Sequence, residues 1–505
     1  MLFNSYSFIF VFLPVVLLGF FLLARLQARF AATWLALASL FFYGYWNPVY
    51  VGLLMASIVV NYGFARWMIQ ANAASQYASK KQILITAITA NLLLLGYYKY
   101  AGFFINTVNA VAATGWSFTE LILPLGISFF TFTQIAFLVD THRGRAQEPN
   151  FINYVLFVTF FPHLIAGPVL HHKDMMPQFA SSTTYHVQWN KVSAGLLLFT
   201  LGLCKKILWA DSLAPYVTGV FDGVSTGAAL GLLPTFYEAW AGALAYTLQI
   251  YFDFSGYTDM ALGVALMFNI KLPINFNSPY QAISIIDFWR RWHMTLSTFL
   301  KDYLYIPLGG NRHGPVRRYL ALLTTMLLGG LWHGAGWTFV VWGALHGAYL
   351  VINHGWRAFC LAVWPRPFTS RLVIYSVAAL SGMLTFVAVV AAWVVFKAAD
   401  MQQAMLMLKA MFGIAAQPIS WSEVTHGKLL LQAGQGGLSG LSGRSLVLLL
   451  VPGLLWVWLL PNGNRWQFVD RNGWVTALQV VLVLAALYVC IDRFGSYSPF
   501  LYFQF

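Results

Sequence analysis

Charge is scarce in this chain. Asp, Glu, Lys and Arg make up 9% of its 505 residues, while 59% are hydrophobic. An average soluble domain is roughly 25% charged. So little charge excludes a water-soluble core as the home of this much apolar surface and makes lipid part of the solvent. Residue-by-residue alternation is also missing: the apolar runs are long and the charges fall between them. That excludes a closed barrel and leaves helices as the way to satisfy backbone groups in lipid. No basic residue precedes Arg25, so the apolar run 3–23 does not read as a cleaved signal, whose positive charge comes first; a retained helix is expected. The three cysteines, Cys204, Cys360 and Cys490, are far apart and form no CxxC. Buried thiols are expected rather than a disulfide framework or a metal site. No histidine is followed by Asp at the fifth position, so one familiar acyl-transfer signature is absent. No internal repeat of the transporter kind is seen.

The basic residues set an expected topology. Net charge is +14, scattered at the ends of apolar runs, which is the positive-inside bias rather than a nucleic-acid surface. Arg25 and Arg29, Lys80-Lys81, and Arg143 with Arg145 recur after pairs of runs near 31–46, 49–69, 83–104 and 120–139, with a pivot at Trp46-Asn47-Pro48. This places both termini outside the cytosol. The run 151–170 reads as a full span or a re-entrant piece. The run 192–210 carries Lys205-Lys206 near its end. Arg357, Arg366 and Arg371 return to the cytosol, as do Arg465 and Arg471 near the end. The total is about eleven or twelve spans of about 20 residues each, in an all-α polytopic membrane protein. Residues 398–444 form the longest non-spanning region, with a Met-rich amphipathic piece over 401–412 and the tract "AGQGGLSGLSG".

Charge is concentrated in "FWRRWHMTLSTFLKDYLYIPLGGNRHGPVRR", residues 288–318. Read as one helix over 287–303, it puts Asp287, Arg290, His293, Ser297 and Lys301 on one side and the aromatic and aliphatic residues on the other. Arg290 is then expected to reach Asp287 one turn back. Each ion at a bilayer centre costs roughly 2.5–3.5 kcal/mol, so Arg290, Arg291, Lys301, Asp302 and Arg312 exclude an ordinary span. Two readings stand: an interfacial helix on anionic lipid, and a cytosol-facing cationic funnel for a phosphate-rich donor. Gly309-Gly310 permit a close backbone approach but make no P-loop.

The opposite pattern follows. From Tyr319 to Trp356 no residue carries a formal charge, yet the stretch holds His333 and His346. Two crossings barely fit, and Gly329-Gly330 with Gly334-Ala335-Gly336 bracket Trp332-His333, which predicts a break there. Desolvation disfavours an imidazolium, and a neutral imidazole can take a proton from a hydroxyl. His346, beside Trp342 and Gly347, reads as a hydrogen-bonded structural histidine. A haem pair of the two is excluded by the intervening glycines and the lack of a matching partner for His293. Asp253 and Asp259 in "YFDFSGYTDM" do not share a helix face unless Gly256 bends the chain, and a packing or hydrogen-bonding role is expected for them.

"YTLQIYFDFSGYTDMALG", "NFNSPYQAISIIDFWRRWHMTLSTFLKDYLYIPLGGNR" and "MLLGGLWHGAGWTFVVWGALHG" together resemble the core of the membrane-bound O-acyltransferases. "PLGISFFTFTQIAFLVDTHRG", "FPHLIAGPV" and the ending "FLYFQF" extend the likeness nearly end to end. The bacterial alginate O-acetylation branch is the nearest in pattern. The resemblance implies one domain over 1–505, a ring of helices around a central tunnel, and acyl transfer from a thioester to a hydroxyl. It implies catalytic roles for His333 and for His293, and tunnel support from Trp332, Asp253, Asp259 and Asp287. Arg290, Arg291, Lys301 and Arg312 are expected to attract the donor's phosphates, with Asn311 or glycine N–H groups on the oxyanion. The expected donor is acetyl-CoA or a carrier-protein thioester, with no bound cofactor or metal. The expected acceptor is an extracytoplasmic partner protein serving an exopolysaccharide, in the bacterial inner membrane, with 398–444 as a docking surface. The competing readings are a transporter of an acyl or polysaccharide intermediate, and a scaffold subunit of an export complex.

Overall fold

A computed structural model describes residues 1–73, 76–119, 121–229, 233–364, 369–414, 416, 443–463, 473–494 and 500–501. Arg366, Arg465, Arg471, the Gly/Ser tract and the last four residues lie outside this set, as does most of the docking region expected over 398–444. Among the described residues there is no strand, and the protein is an all-α polytopic membrane protein. Among the described residues five helices are long and apolar enough to cross a bilayer by length and composition: Ser7–Ala24, Val49–Asn72, Ala78–Ala112, Trp189–Ala228 and Arg371–Lys397. The larger number of spans expected from the sequence is not reached on that measure. The 32-residue helix Phe236–Met267 is long enough but carries Glu238, Asp253 and Asp259, and the segments near 151–164 and 285–305 are broken into short pieces.

The chain packs as two compact units. One comprises the described residues of 1–203, 257–274 and 466–504, the other those of 204–256 and 275–465. In the first, α1 (Leu13–Ala24), preceded by a π-helical turn over Ser7–Phe12, packs on α2 (Ala28–Gly44). Trp34 lies across Gly19 and donates its indole N–H to the Val16 carbonyl at 3.0 Å. Phe8, Phe12, Phe42 and Phe161 pack as a cluster of rings. The helices α3 (Val49–Ala73), α4 (Tyr77–Leu95) and α6 (Ile127–His142) meet through buried amides and hydroxyls. Asn61 and Asn91 exchange amide bonds at 3.2 and 2.6 Å. Gln134 donates to Ser57 Oγ at 2.9 Å and accepts from the Tyr154 hydroxyl at 3.4 Å. The run 151–170 is not a single crossing. Helix α7 (Phe151–Thr159), capped by Asn150, stops at Phe160 ahead of Pro162, and nine residues rise only about 14 Å. Helix α10 (Trp189–Cys204) approaches the Tyr257–Met267 part of α12 (Phe236–Met267) so closely that a Cβ on Gly195 or Gly263 would meet the other's carbonyl oxygen at 2.5 Å. Small residues permit that kind of helix contact in a membrane.

In the second unit, Lys205 and Lys206 do not end a helix. They open a π-helical turn, Lys205–Ala210, that continues into α11 (Asp211–Ala229). The Lys206 ammonium is buried between Asp211 Oδ1 at 2.7 Å and Asp253 Oδ1 at 2.8 Å. Helix α12 starts on a reciprocal cap: Thr235 Oγ1 accepts from Glu238 N while Glu238 Oε2 accepts from Thr235 N, the capping-box arrangement. It runs unbroken through Gly256, so Asp253 and Asp259 stay on different faces. The amphipathic piece expected over 401–412 is α18 (Met401–Met411), capped by Asp400 and tied by Gln403 to the Phe221 carbonyl at 2.7 Å.

Candidate active site

The continuous helix expected over 287–303 is two short helices, α13 (Ile285–Trp289) and α14 (Met294–Leu300), followed by a π-helical turn over Lys301–Tyr305. Ser284 caps α13 by accepting from Asp287 N. The cause of the break lies in the preceding "NFN" segment. Asn277 N donates to the Arg291 carbonyl and Met294 N donates to the Asn275 carbonyl, each at 2.9 Å. These bonds take the backbone groups an uninterrupted helix would use. His293 is left with φ 44°, in the left-handed region, an uncommon conformation outside glycine that marks a site worth examining. The break corrects the expected pairing as well. Arg291, not Arg290, binds Asp287, at 2.9 Å from Nε to Oδ1, because the chain turns after Trp289 and presents the next residue.

His293 is fully buried. Its Nδ1 lies 3.0 Å from Asn275 Oδ1, which also accepts from Thr295 N and Thr295 Oγ1. An oxygen already taking two donors accepts from the imidazole too, so Nδ1 carries the proton and Nε2 is the basic nitrogen of the neutral ring. Burial disfavours the cation and pushes this imidazole well below its ordinary range. Phe254 packs edge-on against the ring, 4.9 Å between centres.

His333 is the last residue of α15 (Gly314–His333), and α16 (Trp337–Val363) begins after Gly334–Gly336. The predicted break is therefore a tight helical hairpin. A Cβ on Gly330 would collide with the Phe339 carbonyl, one on Gly343 with the Met326 carbonyl, and one on Gly334 with the Phe339 ring. The glycines bring the two backbones together and fix His333 at the turn. His333 is 5% exposed. Its ring centre is 6.5 Å from that of His293, 5.1 Å from Trp342 and 5.3 Å from Phe396. Trp332 lies 6.1 Å from His293. Two histidines 40 residues apart in sequence thus share one buried aromatic pocket, close enough for one small reacting group to touch both.

The cationic residues are arranged differently. Arg290, Lys301, Asn311 and Arg312 are exposed, and Arg291 is partly covered by its bond to Asp287. Asn311 and Arg312 precede α15, whereas His333 ends it. Twenty helical residues separate them by about 30 Å, which overturns the assignment of Asn311 to an oxyanion at His333. Asp253 belongs to the Lys206 cluster. Asp259 is buried in the first unit. Sequence reasoning missed Asn275, whose signal was a pair of asparagines in "NFNSPY" ahead of the histidine. It also missed Lys206 as a buried cation, for which Asp211, five residues on, was the available cue.

A sequence model of the membrane-bound O-acyltransferase family matches residues 140–395. The chain is 39% identical over 538 residues to the peptidoglycan O-acetyltransferase of Helicobacter pylori, covering 100% of this chain and 98% of that protein. It is 37% identical over 539 residues to the "Probable alginate O-acetylase AlgI" of Azotobacter vinelandii, with both chains covered completely. It is 39% identical over 453 residues to the protein of the same description from Pseudomonas aeruginosa, covering 89% of this chain and 80% of that one.

Proposed function

We propose that this chain, which belongs to the membrane-bound O-acyltransferase family, transfers acetyl groups from a cytosolic thioester to a hydroxyl acceptor that serves a bacterial cell-surface polysaccharide. The observation that carries this reading is the convergence of His293 and His333, 6.5 Å apart, in a buried aromatic pocket. His333 takes the proton of the acceptor hydroxyl as the oxygen attacks the thioester carbonyl, and returns it to the departing thiolate. His293, locked by Asn275 with Nε2 as its basic nitrogen, positions the donor. Arg290, Lys301 and Arg312, exposed, draw the donor's phosphates toward the protein. Two of the relatives are named for alginate and one for peptidoglycan, which supports a glycan as the final acceptor. The acetyl group reaches it through an extracytoplasmic partner protein, from an enzyme in the inner membrane with both termini outside.

The test uses detergent-purified protein and acetyl-labelled acetyl-CoA. Thioester loss is followed with and without a candidate hydroxyl acceptor, in wild type and in His333→Ala matched for monodispersity. General acid–base catalysis contributes about 10²–10⁴-fold, and a loss of that order is expected in the variant. Equal turnover in both proteins removes His333 from the chemistry. A transporter or scaffold without bond chemistry predicts no thioester cleavage by either protein.

A further inference from the structure

The reaction needs donors for the carbonyl oxygen that becomes negative when the hydroxyl attacks, and Asn311 does not reach it. Helix α16 offers them. Trp342 and His346 are four residues apart on one face of that helix, 1% and 0% exposed, with ring centres 4.7 Å apart. The Trp289 indole N–H donates to His346 Nδ1 at 3.3 Å. That bond requires a lone pair on Nδ1, so the neutral His346 ring carries its proton on Nε2 and is a donor there. His346 Nε2 and Trp342 Nε1 are both buried, and neither has a hydrogen-bond partner among the described residues. Buried polar groups are nearly always paired, and an unmade donor carries its full desolvation penalty. Two such donors on neighbouring rings suit a small group that only accepts. The Trp342 ring also packs edge-on against His333, 5.1 Å between centres, which puts the ring that carries one of the donors next to the base. Phe288 stacks on the other side of His346 at 6.1 Å and helps fix its orientation.

Resting on the acyl-transfer reading, we infer that Trp342 Nε1–H and His346 Nε2–H form the oxyanion site, binding the acyl carbonyl oxygen of the thioester. As the acceptor oxygen bonds to the carbonyl carbon, the C=O electron pair moves onto this oxygen and the two N–H groups hold it. The pair returns as the C–S bond breaks, and the hydroxyl proton passes through His333 to the leaving sulfur. Nothing is oxidised or reduced. Trp289 is a positioning residue, since it acts through the His346 tautomer.

The experiment compares wild type, Trp342→Phe, His346→Ala, His346→Gln and His333→Ala as full-length protein with acetyl-CoA. Trp342→Phe keeps the ring and removes only the N–H. Removing one oxyanion donor costs about 10²–10³-fold in kcat. A loss of that order is expected in Trp342→Phe and His346→Ala, with KM changed little, and partial recovery in His346→Gln, whose amide can donate. A second readout does not depend on turnover: the infrared carbonyl band of bound acetonyl-CoA, a ketone in place of the thioester, is shifted to lower frequency by wild type and less so by Trp342→Phe. Unchanged kcat in well-folded Trp342→Phe, with an unmoved carbonyl band, overturns the oxyanion site. If His333→Ala is inactive in the same series, the acyl-transfer reading survives that failure. A wild type that leaves the thioester intact overturns both.

Discussion

Two buried polar clusters in this protein are built on opposite principles. Between α3, α4 and α6, Asn61, Asn91, Ser57, Gln134 and Tyr154 bond to one another across the helices. Around the α15–α16 hairpin, His346 and Trp342 are also buried, yet each presents an N–H that meets no acceptor among the described residues. The first cluster is a closed account of donors and acceptors and holds helices together. The second is held in place by aromatic packing and one tautomer-setting bond, and it keeps its polar atoms in reserve. Burial alone does not separate structure from chemistry in a membrane interior. The hydrogen bonds set these two clusters apart.

Variants in the two clusters are expected to fail in different ways. The largest effect is at His333. His333→Ala is expected to lower turnover by about 10²–10⁴-fold with an unchanged unfolding midpoint, read by thioester cleavage beside thermal unfolding in detergent. Next is Lys206, which belongs with the structural class although it is charged. Lys206→Met leaves Asp253 buried without its cation and is expected to cost about 3–5 kcal/mol of stability. Pairing it with Asp253→Asn should restore part of that loss, as measured by denaturant unfolding. In the closed cluster, Asn61→Leu is expected to cost about 0.5–2 kcal/mol, with the turnover of the folded fraction unaltered. The smallest effect is at exposed Arg290. Arg290→Ala is expected to raise the KM for acetyl-CoA a few-fold at low ionic strength and to match wild type at high salt, because exposed charges are screened beyond about 10 Å at 0.1 M.

The helical, membrane-spanning nature of the chain was legible from its runs, because lipid permits few alternatives. The break at His333 was also legible, since Gly329, Gly330, Gly334 and Gly336 have no other use in so short a stretch. The break at His293 was not. Its charge pattern fits a continuous amphipathic helix, and the helix is interrupted by a distant partner, the backbone of Asn275 and Asn277. Local periodicity contains no trace of that competition. For the same reason the arginine that binds Asp287 was misassigned by one residue. Lys206 looked like the edge of a span because exposed lysines usually mark edges. Its two carboxylates, one of them 47 residues away in sequence, allow it to be buried. Asn311 was placed on the oxyanion by its nearness to glycines in sequence, and the length of α15 rules that out. His346 read as structural because its Trp289 bond and the unpaired nitrogen behind it exist only in three dimensions.

The most direct test sets one residue from each cluster against the other. Single-turnover transfer of labelled acetyl is measured for wild type, His333→Ala and Asn61→Leu, with unfolding midpoints recorded on the same preparations. The account predicts that His333→Ala loses the transfer step and keeps its midpoint, while Asn61→Leu keeps the transfer step and loses midpoint. A His333→Ala protein that unfolds early and transfers acetyl at the wild-type rate while folded would contradict it.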